Sequence, residues 1–84
     1  MIYVYVLRST QDGHFYTGCT RDLRGRIALH NAGKVPSTKN RLPLELIYYE
    51  GSLNEQDAFG REKYLKTTYG KRYINTRCKN YFTG

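Results

Sequence analysis

Apolar and aromatic side chains fill residues 2–7 in two alternating sets, Ile2, Val4 and Val6 against Tyr3, Tyr5 and Leu7. Successive side chains of a strand point to opposite faces, so this segment is predicted to be a strand that is buried on both faces. We expect it at the centre of a sheet. Turn-forming residues at 9–13 and a second strand-like segment at 14–18 predict a hairpin, which would place Tyr5 and Tyr16 on neighbouring strands.

A short helix is predicted between Asp22 and Asn31, with Asp22 or Thr20 as its N-cap and Gly33 as its stop signal. Its apolar residues are Leu23, Ile27 and Ala28. Residues 34–43 contain both prolines and several basic side chains, which predicts a basic loop. Residues 44–49 then have the composition of a third strand.

The segment after the third strand predicts a second helix. Ser52 and Glu55 have the spacing of a capping box, and a helical stripe of apolar residues continues to about Lys66. The stripe consists of Ala58, Phe59 and Leu65. Beyond Gly70 the spacing does not distinguish another short helix from an extended strap. The order of elements therefore indicates an α+β fold, β-β-α-β-α plus a C-terminal helix or strap.

Composition and charge narrow the classes of partner. The 84 residues are few enough that we expect a single domain over residues 1–84. A formal charge of +7 predicts polyanionic partners, nucleic acid first and an acidic membrane surface second. No apolar run approaches the roughly 20 residues of a membrane span, and the first residues lack a secretory leader pattern. Cys19 and Cys78 are expected to be reduced thiols of a cytoplasmic protein.

Glu62 is the most informative single residue of the sequence. Helical geometry places it between Ala58, Phe59 and Leu65, on the apolar side of the second predicted helix. A carboxylate in that position costs free energy unless something compensates its charge. Periodicity leaves two explanations open, an ion pair with Lys66 four residues later or a role in binding a metal ion.

Several other side chains have chemistry suited to a nucleic-acid substrate. Arg26 and His30 share one side of the first helix, where Arg can hold a phosphate and His can move a proton. The other explanation of this pair is a solvated helix face. Tyr5 and Tyr16 can place hydroxyl groups on the sheet, although Tyr in strands is usually packing. The loop contains side chains of the types that bind phosphate groups. Its composition is equally explained by a loop that only keeps the protein soluble. The side chains concerned are Lys34, Ser37, Thr38, Lys39 and Arg41.

The order of these residues resembles the GIY-YIG nuclease superfamily. The resemblance is closest to the small stand-alone bacterial members, which are similar to the N-terminal domain of the excision-repair incision subunit. The first motif stands here as Tyr3-Val4-Tyr5 and the second as Tyr16-Thr17-Gly18. Arg26, the segment 30–34 and the segment 61–66 follow in the family's order. Tyr3 replaces the first Gly of the family name, and Val4 and Thr17 replace its Ile residues.

The resemblance implies a GIY-YIG fold, a central antiparallel sheet of about three strands flanked by helices, with the catalytic groups on one sheet face. It implies that Tyr5 activates or orients the attacking water, that Tyr16 supports that water or binds the scissile phosphate, and that His30 assists proton transfer. Arg26 would stabilise charge on the phosphate. Asn75 would be a further catalytic residue, and Gly18 would lie with the loop among the nucleic-acid-binding residues.

The resemblance also favours a metal role for Glu62 over the ion pair, with a single Mg²⁺ or Mn²⁺ as cofactor. The expected activity is hydrolysis of phosphodiester bonds in nucleic acid, with DNA ahead of RNA and no membrane partner. The alternative is a non-catalytic nucleic-acid-binding module on the same fold. The sequence does not distinguish single strands from duplexes, nor a monomer from a weak dimer.

Overall fold

The structure is a computed structural model that describes residues 1–84. Its three strands are β1 (Ile2–Ser9), β2 (Phe15–Thr20) and β3 (Leu44–Ser52), and its helices are α1 (Leu23–Asn31), α2 (Glu55–Leu65), α3 (Thr68–Arg77) and α4 (Lys79–Thr83). The α+β class and the order of elements are as predicted from the sequence. The undecided C-terminal segment is helical, and no helix has both the length and the apolar character needed to cross a membrane.

The sheet is antiparallel in the order β2-β1-β3, so β1 is central as predicted. Tyr5 pairs with Gly18 of β2 and with Tyr49 of β3. A register shift between Val6 and Leu7 interrupts the pairing with β3. The β1–β2 hairpin places Tyr16 opposite Leu7, which gives Tyr5 and Tyr16 the same face of the sheet.

Each face of the sheet has its own hydrophobic core. On one face Val4 and Val6 pack with Ala58 and Leu65 of α2 and with Ile74 of α3. On the other face lies a smaller cluster that includes residues of α1. It is built from Tyr5, Leu7 and Leu44, with Tyr16, Leu23, Ile27, Leu42 and Leu46 packed against it. The sheet is thus covered on both sides, and β1 is buried because helices lie on each face.

Asp22 caps α1, as expected, by accepting a hydrogen bond from the backbone N–H of Gly25. Gly33 follows the helix with a φ of 74°, a left-handed conformation that glycine adopts without strain. Asn31 joins the end of α1 to β3, since its side chain exchanges hydrogen bonds with the N–H and C=O of Leu44. These contacts set the position of α1 over the sheet.

The predicted capping box at Ser52 is wrong. Ser52 is the last residue of β3 and pairs with Ile2, because the strand runs three residues beyond its predicted end. Asn54 caps α2 instead and accepts hydrogen bonds from Gln56 N–H and Asp57 N–H. Phe59 is 51% exposed, so it does not belong to the buried side of α2.

Candidate active site

A chain of hydrogen bonds runs from β1 through α1 to the loop that follows it. The Tyr5 hydroxyl lies 2.9 Å from His30 Nε2, and His30 Nδ1 lies 2.8 Å from Thr38 Oγ1. All three side chains are buried. Polar groups are costly to bury in so small a core, and here each finds its partner within the chain. The arrangement fixes the orientation of the imidazole ring from both nitrogens.

Gly18 provides the space that Tyr5 needs. A Cβ atom at position 18 would lie 2.6 Å from the Tyr5 hydroxyl oxygen and 2.7 Å from the adjoining ring carbon. The Tyr5 ring therefore extends across the β2 backbone, with its hydroxyl over Gly18. Gly18 is buried, and its place among the nucleic-acid-binding residues stays a prediction.

Arg26 and Tyr16 complete this side of the site. Burial raises the pKa of Tyr5, and the Arg26 guanidinium beside its hydroxyl partly opposes that shift. The pKa of Arg26 is raised in turn, chiefly by the Tyr5 hydroxyl and more weakly by Tyr16. The Tyr16 ring meets the His30 ring edge-on at a centroid distance of 4.9 Å. Tyr16 and Arg26 are partly exposed, so they form the solvent side of the buried chain.

His30 is held in its neutral form. Burial, and secondarily the positive charge of Arg26, lower the pKa of His30 below its ordinary value. A neutral imidazole has one N–H and one lone pair, so it donates to one neighbour and accepts from the other. When Nε2 accepts from the Tyr5 hydroxyl, Nδ1 donates to Thr38. In that tautomer His30 Nε2 accepts the hydrogen bond of the Tyr5 hydroxyl.

Glu62 reaches the site from the opposite face of the sheet. It lies on α2 between the buried residues Ala58 and Leu65, as its spacing predicted, and its side chain is 23% exposed. Its neighbour on β2 is Cys19, which pairs with Val4. Tyr5 and the α1 residues lie on the other face, so the expectation that all catalytic groups share one face is wrong. The two halves meet around the edge strand β2.

Glu62 is also paired with a cation of the chain itself. Lys66 Nζ lies 2.8 Å from Glu62 Oε2, which is the ion pair that periodicity had left open. Burial raises the pKa of the Glu62 carboxyl, but Lys66 and the Cys19 thiol together outweigh this effect, and the pKa is lowered on balance. Burial and the neighbouring carboxylate raise the pKa of the Cys19 thiol to about 12. Glu62 is therefore ionised at neutral pH and lies beside a protonated thiol.

The donor set suits a hard divalent cation held by few protein ligands. No group of three or more His, Cys, Asp or Glu side chains comes together in the structure. Mg²⁺, however, commonly keeps several waters and binds one or two carboxylates together with substrate phosphates. The partly buried Glu62 carboxylate, which already attracts an ammonium group, fits that mode of binding. Lys66 would have to leave the carboxylate.

The predicted phosphate-binding loop is only partly available to a ligand. Thr38 is fully buried against His30 and supports the imidazole, and its expected phosphate contact stays a prediction. Arg41 pairs with Asp12, its Nε lying 3.2 Å from the carboxylate. Lys34, Ser37 and Lys39 are exposed and remain free to meet a ligand.

Asn75 does not join the Tyr5–His30 chain. It lies on the exposed side of α3, where it lines a groove with Gly13, His14, Phe15 and Lys71. Lys71 also lines a second groove, with Tyr16 and Lys66. Asn75 is thus connected to the candidate active site only through Lys71, which lines both grooves.

Sequence reasoning missed Thr38 as a support for His30 and Lys71 as a neighbour of Tyr16. The first contact joins a helix to an irregular loop, and no periodic spacing predicts it. The second depends on the turn between α2 and α3, where Gly70 lies against the backbone of Leu65. An exposed lysine one helical turn before Asn75 was the only available signal for Lys71.

The chain is similar to known proteins in sequence and in fold. The family model of the GIY-YIG catalytic domain matches residues 1–77. A UPF0213 protein of Streptococcus pneumoniae serotype 4 is 45% identical over 65 residues, which are 76% of this chain and 65% of that relative. A UPF0213 protein of Streptococcus agalactiae serotype V is 38% identical over 81 residues, covering 87% of this chain and 91% of the relative.

A solved structure has the same fold. The solution NMR structure of a UPF0213 protein from Bacillus halodurans matches with a TM-score of 0.57 and 31% identity, over 90% of this chain and 84% of that one. The chain spans only 65% of the length of the Streptococcus pneumoniae serotype 4 relative, so that relative has residues without a counterpart here.

Proposed function

Because the chain belongs to the GIY-YIG family, we propose that it is a metal-dependent endonuclease that hydrolyses phosphodiester bonds in nucleic acid. DNA is placed ahead of RNA because of the resemblance to the N-terminal domain of a DNA-repair incision subunit. The proposed catalytic groups are Tyr5, Tyr16, Arg26, His30 and Glu62.

The observation that carries the proposal is the buried chain from Tyr5 through His30 to Thr38. Three buried polar side chains contribute less to the stability of a small core than apolar side chains would. A purely structural reason for their presence is therefore disfavoured. The chain ends at a hydroxyl that lies beside an arginine. A proton acceptor next to a phosphate-binding cation is the pair of groups that hydrolysis of a phosphodiester requires.

The geometry supports a proton relay. The pKa of Tyr5 is raised by burial, so the resting group is a neutral phenol and not a phenolate. As water attacks, Tyr5 takes a proton from it and passes its own proton to His30 Nε2. The imidazolium that forms is disfavoured by burial and by Arg26, and the negative charge developing on the phosphate would stabilise it. Thr38 keeps the ring in place by accepting from Nδ1–H.

Tyr16 and Arg26 would receive the scissile phosphate, since they form the exposed side of the chain. The exposed loop residues Lys34, Ser37 and Lys39 would meet neighbouring phosphates. Glu62 would hold Mg²⁺ or Mn²⁺, which supplies Lewis-acid stabilisation of the charge on the phosphate and leaving group.

The test is cleavage of end-labelled single-stranded and duplex DNA and RNA, with Mg²⁺, with Mn²⁺ and with EDTA. We expect cleavage only with metal, and a loss of at least about 100-fold in Glu62→Gln. Glu55→Gln, an exposed carboxylate at the start of the same helix, should retain activity. Cleavage in EDTA that persists in Glu62→Gln would refute the proposal.

One observation favours a second candidate, a non-catalytic nucleic-acid-binding module. Glu62 is already neutralised by Lys66, and a carboxylate in an ion pair is less available to a metal ion. The module predicts salt-sensitive binding of the same substrates with no cleavage under any metal condition. The cleavage panel therefore separates the two candidates.

A further inference from the structure

The positive charge of the chain is concentrated beyond α2. Glu62 is the last acidic residue, and every charged side chain after it is basic: Lys63, Lys66, Lys71, Arg72, Arg77 and Lys79. The ion pairs of the structure are Arg21–Glu55, Arg41–Asp12, Arg61–Glu50 and Lys66–Glu62. The cations of α3 and α4 thus have no carboxylate partner, and their field is not neutralised locally.

These cations line a groove of about 530 Å³ along the exposed side of α3. Its walls contain no hydrophobic and no acidic side chain, and consist of Thr68, Lys71, Arg72, Asn75, Thr76 and Lys79. The opposite side of α3 is buried through Gly70 and Ile74, which fixes the direction in which the polar side chains point. Cations with hydroxyl and amide donors are the groups that proteins use to hold a phosphate backbone without reading bases.

Lys71 connects this groove to the candidate active site. It also lines a groove of about 260 Å³ together with Tyr16 and Lys66. A polyanion bound at Tyr16 would therefore continue onto α3 without crossing an acidic surface. From Thr68 to Thr76 the helix rises about 12 Å, which equals the rise along the duplex axis of about three to four phosphates of one strand.

We infer that the α3 groove binds the phosphate backbone of the nucleic acid on one side of the bond to be cut. The inference rests on the proposed function, because it takes the same polyanion as ligand. It gives Asn75 a place among the backbone contacts instead of the reaction centre. It also places the main phosphate contacts on α3, whereas the sequence had directed attention to residues 34–41.

The test is a binding measurement that requires no cleavage. Fluorescence anisotropy of a labelled oligonucleotide, single-stranded or duplex, is followed in EDTA between 50 and 200 mM salt. The variant Lys71→Gln/Arg72→Gln is compared with Arg24→Gln/Lys63→Gln, which removes the same charge from exposed positions on α1 and α2. Glutamine has nearly the same helix propensity as lysine and arginine, so both proteins should stay folded, as thermal melting would check.

We expect the α3 variant to bind about tenfold more weakly at low salt. The slope of log affinity against log salt should fall by roughly 1.5 to 2, the value for two lost phosphate contacts. The control variant should change the slope by less than half that amount. Equal changes in both variants, an unchanged slope in the α3 variant, or no binding by the unmodified protein would each overturn the inference. Binding that is independent of α3, together with metal-dependent cleavage, would leave the proposed function intact.

Discussion

Thr38 Oγ1 lies 2.8 Å from His30 Nδ1 inside the protein, although Thr38 belongs to the irregular loop between α1 and β3. Neither side chain is exposed to solvent. The hydroxyl can accept from Nδ1–H, which leaves Nε2 free to accept from the Tyr5 hydroxyl 2.9 Å away. The loop can therefore support the tautomer that the proposed proton relay needs.

Thr38→Val should separate this supporting role from phosphate binding. Valine preserves the shape of the side chain but leaves the buried His30 Nδ1 without a partner, at a cost of about 1–3 kcal/mol in the free energy of unfolding. Cleavage should fall because the tautomer is no longer selected, while oligonucleotide affinity in EDTA should not change. Thr38→Ser keeps the hydroxyl and should retain most of the activity. A loss of affinity equal to the loss of cleavage would return Thr38 to the phosphate contacts.

The parts of the fold that follow from periodicity were predictable from the sequence. Strand β1, the cap of α1 at Asp22 and the position of Glu62 between Ala58 and Leu65 each depend on local spacing. The end of β3 was not predictable from the sequence, because its last residues are held by pairing with β1, which is distant in sequence. Pairing extended the strand through Ser52, and the cap of α2 moved to Asn54.

The candidate site shows the same division. Tyr5 lies on a strand of the hairpin, and Arg26 and His30 lie one turn apart on helix α1. The regular spacing of a strand and of a helix predicts the face on which each of these side chains lies. Glu62 belongs to the other face, where it lies beside Cys19 of the edge strand β2. Sequence periodicity gives the face of one element, and it contains no information about how two layers meet at an edge.

Gly18→Ala should destabilise the protein, because the new methyl group would occupy the position of the Tyr5 hydroxyl. Displacing the buried ring should cost about 1–3 kcal/mol and abolish most cleavage. Gly60→Ala is the matched control. Nothing lies within 4 Å of a Cβ at Gly60, which is in α2, so the same substitution there should stabilise the protein by about 0.5–1 kcal/mol. Urea unfolding of both variants checks the opposite signs.

Stability should fall as the pH drops below about 6.5. The pKa of His30 is lowered in the folded chain by burial and then by Arg26, whereas in the unfolded chain the imidazole has its ordinary pKa of about 6.5. The unfolded state therefore binds the proton more readily, and stability is lost from pH 6.5 towards the folded pKa, by up to about 1.4 kcal/mol per pH unit. Urea unfolding between pH 8 and pH 5 measures the slope.

His30→Gln should flatten this pH dependence even though it lowers stability at pH 8. His14→Gln removes the other histidine, which is exposed at the β1–β2 turn, and should leave the dependence in place. An unchanged slope in His30→Gln would mean that another group is responsible.

Lys66→Met should increase the affinity of the protein for Mn²⁺. The Lys66 ammonium group, 2.8 Å from Glu62 Oε2, competes with a divalent cation for the same carboxylate. A partly exposed ion pair contributes up to about 1 kcal/mol, so its removal should tighten Mn²⁺ binding roughly fivefold. Electron paramagnetic resonance of free Mn²⁺ measures this in the absence of nucleic acid, and Glu62→Gln should abolish the binding.

Lys63→Met is the matched control for this competition. It removes the same charge from the residue that directly follows Glu62 in α2. Lys63 is exposed and has no carboxylate within ion-pair distance. Its Mn²⁺ affinity should rise by less than twofold, since a solvent-exposed charge is largely screened at physiological ionic strength. Equal increases in both variants would show a general effect of net charge. Weaker Mn²⁺ binding by Lys66→Met would show that Lys66 positions the carboxylate for the metal ion instead of competing with it.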